Sequence, residues 1–279
     1  MSYRDIMVHL DNTPACAARL EAAINLTQRF DARLTGFFVL ADPNVQGTGS
    51  REGRRFVIES AREGEDLFRS RVGASGVNAE WFSIVTPSDH QVSDEILVGA
   101  RHADLSLLGQ FDTSTADGGL RSDMVETTVQ NAGRPIMVTP FAGRFDTLGE
   151  RIVVAWNGGR EASRALADAM PFLVKAKHIT VVALNPADQP KMRIEAPFAD
   201  VGRFLESHGI RKSDYRLDQL VFDAHDIGPA DRLLSYLTDE AADMLVMGAF
   251  GNYGFPNFAR GRLTPHVLSA MTVPVLMSH

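Results

Sequence analysis

Short apolar runs alternate with amphipathic segments along the chain. In the second half the apolar runs are Ile152–Ala155, Ile179–Leu184, Tyr215–Val221, Met244–Met247 and Val273–Met277. These runs are rich in Val, Ile and Leu and lack polar alternation, which is typical of strands buried on both faces. The segments between them predict helices over Glu161–Ala176, Pro197–His208, Ala230–Ala241 and Pro265–Ala270. Alternating strands and helices predict a doubly wound α/β fold with a parallel sheet.

The sequence also repeats itself. "DIMVHLDNTPACAARLEAAINL" (Asp5–Leu26) matches "RIVVAWNGGREASRALADAMPF" (Arg151–Phe172), and "ADLSLLGQFD" (Ala103–Asp112) matches "ADMLVMGAFG" (Ala242–Gly251). "GRPIMVTPF" (Gly133–Phe141), near the end of the first half, matches "TVPVLMSH" (Thr272–His279), at the end of the second. Self-similarity of this kind predicts two tandem domains, 1–143 and 150–279, joined by the polar stretch "AGRFDTLG".

Composition narrows the class of protein. The formal net charge of −7 over 279 residues disfavours a general nucleic-acid or anionic-membrane binder, because phosphate groups would be repelled overall. A single cysteine, Cys16, excludes an intrachain disulfide and fits a reducing compartment. The first apolar stretch, Ile6–Leu10, is too short for a signal-peptide core or a membrane span. We therefore expect a cytoplasmic protein.

A glycine-containing loop follows the fourth apolar run of the second half. In "GAFGNYGFPNFARGRLT" the residues Gly248, Gly251 and Gly261 are spaced Gly-x2-Gly-x9-Gly. Glycines allow backbone N–H groups to approach an anion closely, and Thr264-Pro265 suits the N-cap and first position of a helix. The N-terminus of that helix would attract a phosphate. The alternative is that the glycines mark only a long turn.

On these motifs, in both halves, the chain resembles a tandem universal stress protein. The resemblance implies that the two domains pack as a pseudo-twofold dimer and that chains can pair as homodimers. It also implies an adenine nucleotide, ATP with Mg²⁺, as the ligand of the second domain. The implied phosphate-loop residues are Gly248, Ala249, Gly251, Gly261, Arg262, Leu263 and Thr264. The implied adenine and ribose positions are Ala155, Asn157 and Leu184.

Two residues depart from the family pattern in the second half. Arg262 stands where the family has a small hydroxyl, and its guanidinium can either hold a phosphate or fill the cradle and exclude it. Asn157 replaces a usual acidic residue, although its amide can still hydrogen-bond a ribose or adenine. Phe255 and Phe258 are expected to anchor the loop rather than to stack on a base.

The corresponding loop of the first half has lost the glycine pattern. Asp112 and Ser122 replace two glycines, and Asp117, Asp123 and Glu126 lie close by in the sequence. Carboxylates repel phosphate, so we expect this half to be degenerate for nucleotide. Asp11 retains the acidic residue at the end of the first strand, which predicts that only the base-side position survives.

Three functions remain open from the sequence. The first is a stress-response protein that binds ATP in its second domain and regulates or contacts an unknown protein partner. The second is a chaperone-like interaction protein that no longer takes nucleotide. The third and weakest is a slow ATPase, because the loop Gly248–Thr264 supplies no Asp, Glu or His for catalysis or for Mg²⁺. No catalytic residue and no metal ligand are predicted.

Overall fold

The structure is a computed structural model that describes residues 2–42, 51–111, 123–186, 198–222, 227–251 and 263–279. The chain divides into two compact units between Asp146 and Thr147. Each unit alternates strands with helices, and its strand pairs are parallel. The predicted tandem α/β architecture is therefore confirmed, while the packing of the two halves about a pseudo-twofold axis stays a prediction.

The first unit has a five-membered strand order, β3-β2-β1-β4-β5. Its strands are β1 (Asp5–Leu10), β2 (Arg33–Ala41), β3 (Ala79–Thr86), β4 (Leu105–Gly109) and β5 (Ile136–Thr139). Its helices are α1 (Cys16–Phe30), α2 (Arg51–Ser75), α3 (Asp89–Arg101) and α4 (Met124–Asn131). The central strands β1 and β4 are almost wholly buried, as expected for strands covered by helices on both faces.

The second unit repeats this order as β8-β7-β6-β9-β10. Its strands are β6 (Arg151–Ala155), β7 (His178–Pro186), β8 (Tyr215–Phe222), β9 (Met244–Gly248) and β10 (Val275–Ser278). Its helices are α5 (Arg160–Asp168), α6 (Met170–Leu173), α7 (Phe198–Ser207), α8 (Pro229–Asp239) and α9 (Leu263–Ala270). Identical strand order in the two units is what a duplication predicts.

The long helix predicted over Glu161–Ala176 is divided into two. α5 ends at Asp168 and α6 begins at Met170, with Pro171 in the first turn of the shorter helix. Proline lacks an N–H donor and cannot continue the helical hydrogen bonds, so the helix breaks at Ala169. The apolar side chains of this segment are buried, with Ala165 and Leu173 each 1% exposed.

A repeated aspartate fixes the start of the central strands in both units. Asp104 accepts hydrogen bonds from the backbone N–H groups of Arg4 and Asp5, at 2.8 and 3.2 Å. Its counterpart Asp243 accepts three, including one from Arg151 at 3.0 Å. The Ala-Asp pair before each fourth strand is therefore a structural signature of the repeat.

Within the described residues, no helix is both long and apolar enough to cross a membrane.

Candidate functional site

Two of the predicted site residues of the second unit, Ala155 and Gly248, lie at the carboxyl ends of the neighbouring strands β6 and β9. In the parallel register Ala155 pairs with Met247, so the loop after β6 and the loop after β9 leave the sheet side by side. The chain leaves β6 toward β7 on one side, while β9 lies on the other. Such a reversal of strand order opens a crevice in which doubly wound folds bind ligands.

Gly248 is required by helix packing at this crevice. A Cβ atom on Gly248 would overlap the backbone of Glu161 and Ala162, in the first turn of α5. The absence of a side chain therefore lets α5 lie against the end of β9. This role does not need a ligand, so the glycine alone is no evidence for a phosphate.

Gly251 faces a carboxylate. A Cβ atom placed on Gly251 would lie 2.8 Å from Oε2 of Glu161 and 3.7 Å from its Cβ. The Glu161 side chain is only 13% exposed, and its ion-pair partner among the described residues is Arg160, at 3.0 Å, which is 76% exposed. The space that the glycine leaves open is thus bordered by negative charge.

Internal hydrogen bonds engage the start of the loop. The N–H of Ala249 donates to the carbonyl of Ser278 at 2.9 Å, and the N–H of Phe250 donates to Oγ1 of Thr264 at 3.1 Å. Phe250 has a φ of 57°, a left-handed conformation that is unusual for a bulky residue. These two amides are therefore committed to the fold and not to an anion.

Thr264 is placed differently from the prediction. We expected it to be the N-cap of the last helix, but α9 begins at Leu263, and Thr264 lies within its first turn. Its hydroxyl oxygen accepts from Phe250 across the loop, and the residue is 3% exposed. Thr264 thus ties the helix to the start of the loop.

The base-side residues are partly committed as well. Oδ1 of Asn157 accepts from the N–H of Gly159 at 2.9 Å, which shapes the turn between β6 and α5. Leu184 is 6% exposed near the end of β7. Trp156, which no sequence motif indicated, has its indole Nε1 buried without a hydrogen-bond partner among the described residues.

Some predicted residues lie outside the described residues. They are Gly261, Arg262, Phe255 and Phe258 in the second unit, and Asp112, Asp117 and Ser122 in the first. Whether Arg262 holds or excludes an anion therefore stays a prediction.

The matching crevice of the first unit contains an arginine. Arg19, from α1, is 1% exposed and pairs with Asp11, with Nη2 and Oδ2 2.7 Å apart. Its Nε donates to the carbonyl of His9 at 2.8 Å. A Cβ atom on Gly109, the counterpart of Gly248, would overlap Nη1 of Arg19. The expectation that Asp11 keeps an available base-side position is therefore wrong, because its carboxylate is buried against Arg19.

Electrostatics in the first unit agree with an internal pair. Burial acts to raise the pKa of the Asp11 carboxyl, but the charge of Arg19 and hydrogen bonds from Thr13 outweigh it, and the pKa is lowered. Burial lowers the pKa of His9 to about 4, so the imidazole is neutral at pH 7. Burial, with Asp123 nearby, raises the pKa of Glu126 at the start of α4. Acidic groups thus border the degenerate loop on its described side.

Acid–base side chains do reach the glycine loop of the second unit. Besides Glu161, Nδ1 of His279 lies 2.9 Å from the carbonyl oxygen of Ala249. The loop sequence has no acidic residue or histidine, but Glu161 comes to it from α5 and His279 from just after β10. Within the described parts of the chain, no cluster of three or more His, Cys, Asp or Glu side chains could hold a metal ion.

A cleft of about 150 Å³ lies at the opposite, amino-terminal edge of the second unit. Arg216 is part of its lining, and its guanidinium forms ion pairs with the carboxylates of Asp218 at 2.7 Å and Glu240 at 2.8 Å. Burial and a hydrogen bond to Asp218 raise the pKa of Tyr236, beside it, to about 12. These mutually satisfied charges join β8 to α8, and we assign the cleft a structural role.

Comparison with known proteins agrees with this architecture. The model of the universal stress protein family matches residues 149–279. A universal stress protein from Archaeoglobus fulgidus superposes with a TM-score of 0.70 at 16% identity, covering 98% of this chain and 97% of that one. The second unit belongs to the universal stress protein family. A functionally unknown Pseudomonas aeruginosa protein is also similar, with a TM-score of 0.61, 17% identity, and coverage of 99% and 92%. No curated protein sequence matches the chain.

The match with the universal stress protein family covers the unit that keeps the glycine spacing. At these identities the structural neighbours establish the fold alone. Function therefore depends on the residues at the crevice of the second unit.

Proposed function

We propose that the second unit binds an adenine nucleotide, ATP, at the crevice between β6 and β9, and that the protein acts as a regulatory or interaction module. The observation that carries the proposal is the buried indole N–H of Trp156, just after β6, which has no hydrogen-bond partner among the described residues. Buried donors are almost always hydrogen-bonded, so an orphaned one at a ligand-binding edge suggests an acceptor from outside the chain.

The contrast between the two units supports this proposal. Leu10, which has no donor, occupies the matching place in the first unit, where Arg19 and Asp11 fill the crevice. In the second unit Ala165 and Asn157 replace that pair, and the glycine spacing is kept. The second unit therefore has smaller, uncharged residues at these positions, together with a donor that the first unit lacks.

Trp156 also provides the measurement. The chain has two tryptophans, and Trp81 packs on Phe38 and Phe68 in the first unit. In a Trp81→Phe variant, Trp156 is the sole tryptophan, and its fluorescence should change on titration with ATP. Calorimetry of the unmodified protein should give one nucleotide per chain.

Two variants locate the binding site. Trp156→Phe removes the donor while keeping an aromatic ring and should weaken binding by a factor of about 5–10, the value of one hydrogen bond. Gly251→Asp copies the acidic first unit and should abolish binding. Unchanged affinity in both variants, or two nucleotides per chain, would contradict the proposed site.

A second candidate function is an interaction protein without nucleotide. It is favoured by the internal bonds of Ala249, Asn157 and Thr264 and by the carboxylate at Gly251. Mass spectrometry of protein purified without added nucleotide separates the two functions, because only the first predicts a co-purified nucleotide.

A further inference from the structure

Glu161 borders the space beside Gly251, where the glycine spacing would let a phosphate approach the backbone. The carboxylate oxygen lies 2.8 Å from the position of a Cβ atom on Gly251. A bare phosphate that came as close as the missing side chain allows would lie against this carboxylate. The residues present therefore do not fit a free polyphosphate anion at this point of the loop.

The Glu161 side chain starts beside the loop. The Cβ atom of Glu161 is itself 3.7 Å from the Cβ position of Gly251, and it lies 2.8 Å from that of Gly248. Only 13% of the side chain is exposed, so the carboxylate is packed against the protein and does not extend into solvent. The first turn of a helix also favours a carboxylate, since the helix dipole is positive there.

Charge compensation from within the described residues is weak. Arg160 is 76% exposed, and exposed ion pairs contribute little because water screens them. The described residues also hold no other carboxylate or imidazole cluster that could bind a metal by itself. A cation at this position would need oxygen ligands from the nucleotide as well as from Glu161.

We infer that Glu161 makes the second unit selective for a nucleotide complexed with a divalent cation, and that it excludes the free polyphosphate. This inference rests on the proposed nucleotide site. Mg²⁺ prefers hard oxygen ligands and commonly binds one or two carboxylates together with phosphate oxygens. A cation between Glu161 and the phosphates converts a repulsion into an attraction on both sides.

The test compares ATP binding in excess Mg²⁺ and in EDTA for the parent protein and for Glu161→Gln. The parent should bind ATP on the order of tenfold or more tightly with Mg²⁺ than in EDTA, whereas Glu161→Gln should lose most of this difference and gain affinity in EDTA. The matched control is Glu150→Gln, which removes the same charge just before β6 and should behave like the parent. Its partner Lys177 is exposed, so this change should cost little stability.

Adenosine is the second ligand in the test, because it lacks phosphate. Its affinity should be the same with Mg²⁺ and EDTA, and the same in the parent and Glu161→Gln. Equal ATP affinity of the parent in Mg²⁺ and EDTA, or a Glu161→Gln variant that keeps the full Mg²⁺ dependence, overturns the inference while leaving the nucleotide site intact. Absence of both adenosine and ATP binding overturns the proposed function, and the inference with it.

Discussion

The guanidinium of Arg19 and the carboxylate of Asp11 form a buried ion pair, 2.7 Å apart, with 1% and 6% of their side chains exposed. The matching residues of the second unit are Ala165 and Asn157, which are both uncharged. Two domains with one strand order thus differ at the point where we propose that the second unit binds its ligand. In the first unit the Arg19 side chain occupies this position. In the second unit the turn at Asn157 and the start of α5 lie there.

Arg19→Ala should destabilise the first unit by about 3–5 kcal/mol, because it leaves the Asp11 carboxylate buried and unpaired. Urea unfolding followed by circular dichroism measures this change. The control Arg19→Ala/Asp11→Asn copies the second unit and should recover a large part of the lost stability. Equal stability of the single and double variants would show that the charge of Asp11 is not the cause.

His9 should make the first unit sensitive to mild acid. The pKa of the buried imidazole is about 4, against an ordinary value of 6.5, so the unfolded chain takes up a proton in this range and the folded chain does not. Stability is then full above pH 6.5 and falls between pH 6.5 and about 4, by about 3 kcal/mol in total.

Urea unfolding between pH 7 and pH 4 measures the effect of His9. His9→Met replaces the imidazole by an uncharged side chain of similar volume and should flatten the curve in this window. Both ring nitrogens of His9 lack hydrogen-bond partners among the described residues, so little bonding is lost. A slope that persists in His9→Met would assign the acid sensitivity to another group.

Gly248→Ala should destabilise the second unit, because the added Cβ overlaps the backbone of Glu161 and Ala162. Overpacking of this kind costs about 1–3 kcal/mol, and backbone contacts cannot relax as a flexible side chain does. Gly73→Ala is the control, since Gly73 lies within α2 and a Cβ there meets nothing within 4 Å. It should be neutral or stabilising by up to about 1 kcal/mol. Thermal unfolding distinguishes the two substitutions.

The fold could be predicted from the sequence because its signals are local and repeated. Apolar runs located the strands of the second unit to within two residues at each end, and Pro171 located the break between α5 and α6. Because the two halves match in sequence, the architecture predicted for the second half also applies to the first. Helix ends were less exact, since Thr264 lies inside α9 and not at its cap.

The site could be predicted only in outline, because its charges come from distant elements. Glu161 and Gly251 are separated in the sequence by three strands and the helices between them. No sequence motif links residues that far apart. The role of Asp11 was misjudged because its partner lies on α1. A signal for that pair was present, since Arg19 interrupts the apolar face where the second half has Ala165.

Arg262 provides the last prediction, which concerns the loop beyond the described residues. The sequence places this arginine directly before α9, in the last turn of a glycine loop that Glu161 makes acidic on its other side. A guanidinium there should attract phosphate, and charged hydrogen bonds contribute about 1.5–3 kcal/mol. Arg262→Ser should therefore weaken ATP binding by a factor of roughly 10–150 in calorimetry with Mg²⁺ present. The same variant should leave adenosine affinity unchanged, because adenosine has no phosphate group for the guanidinium to bind. If Arg262→Ser instead creates ATP binding that the parent protein lacks, the arginine fills the cradle, and the loop of the parent is a turn without a ligand.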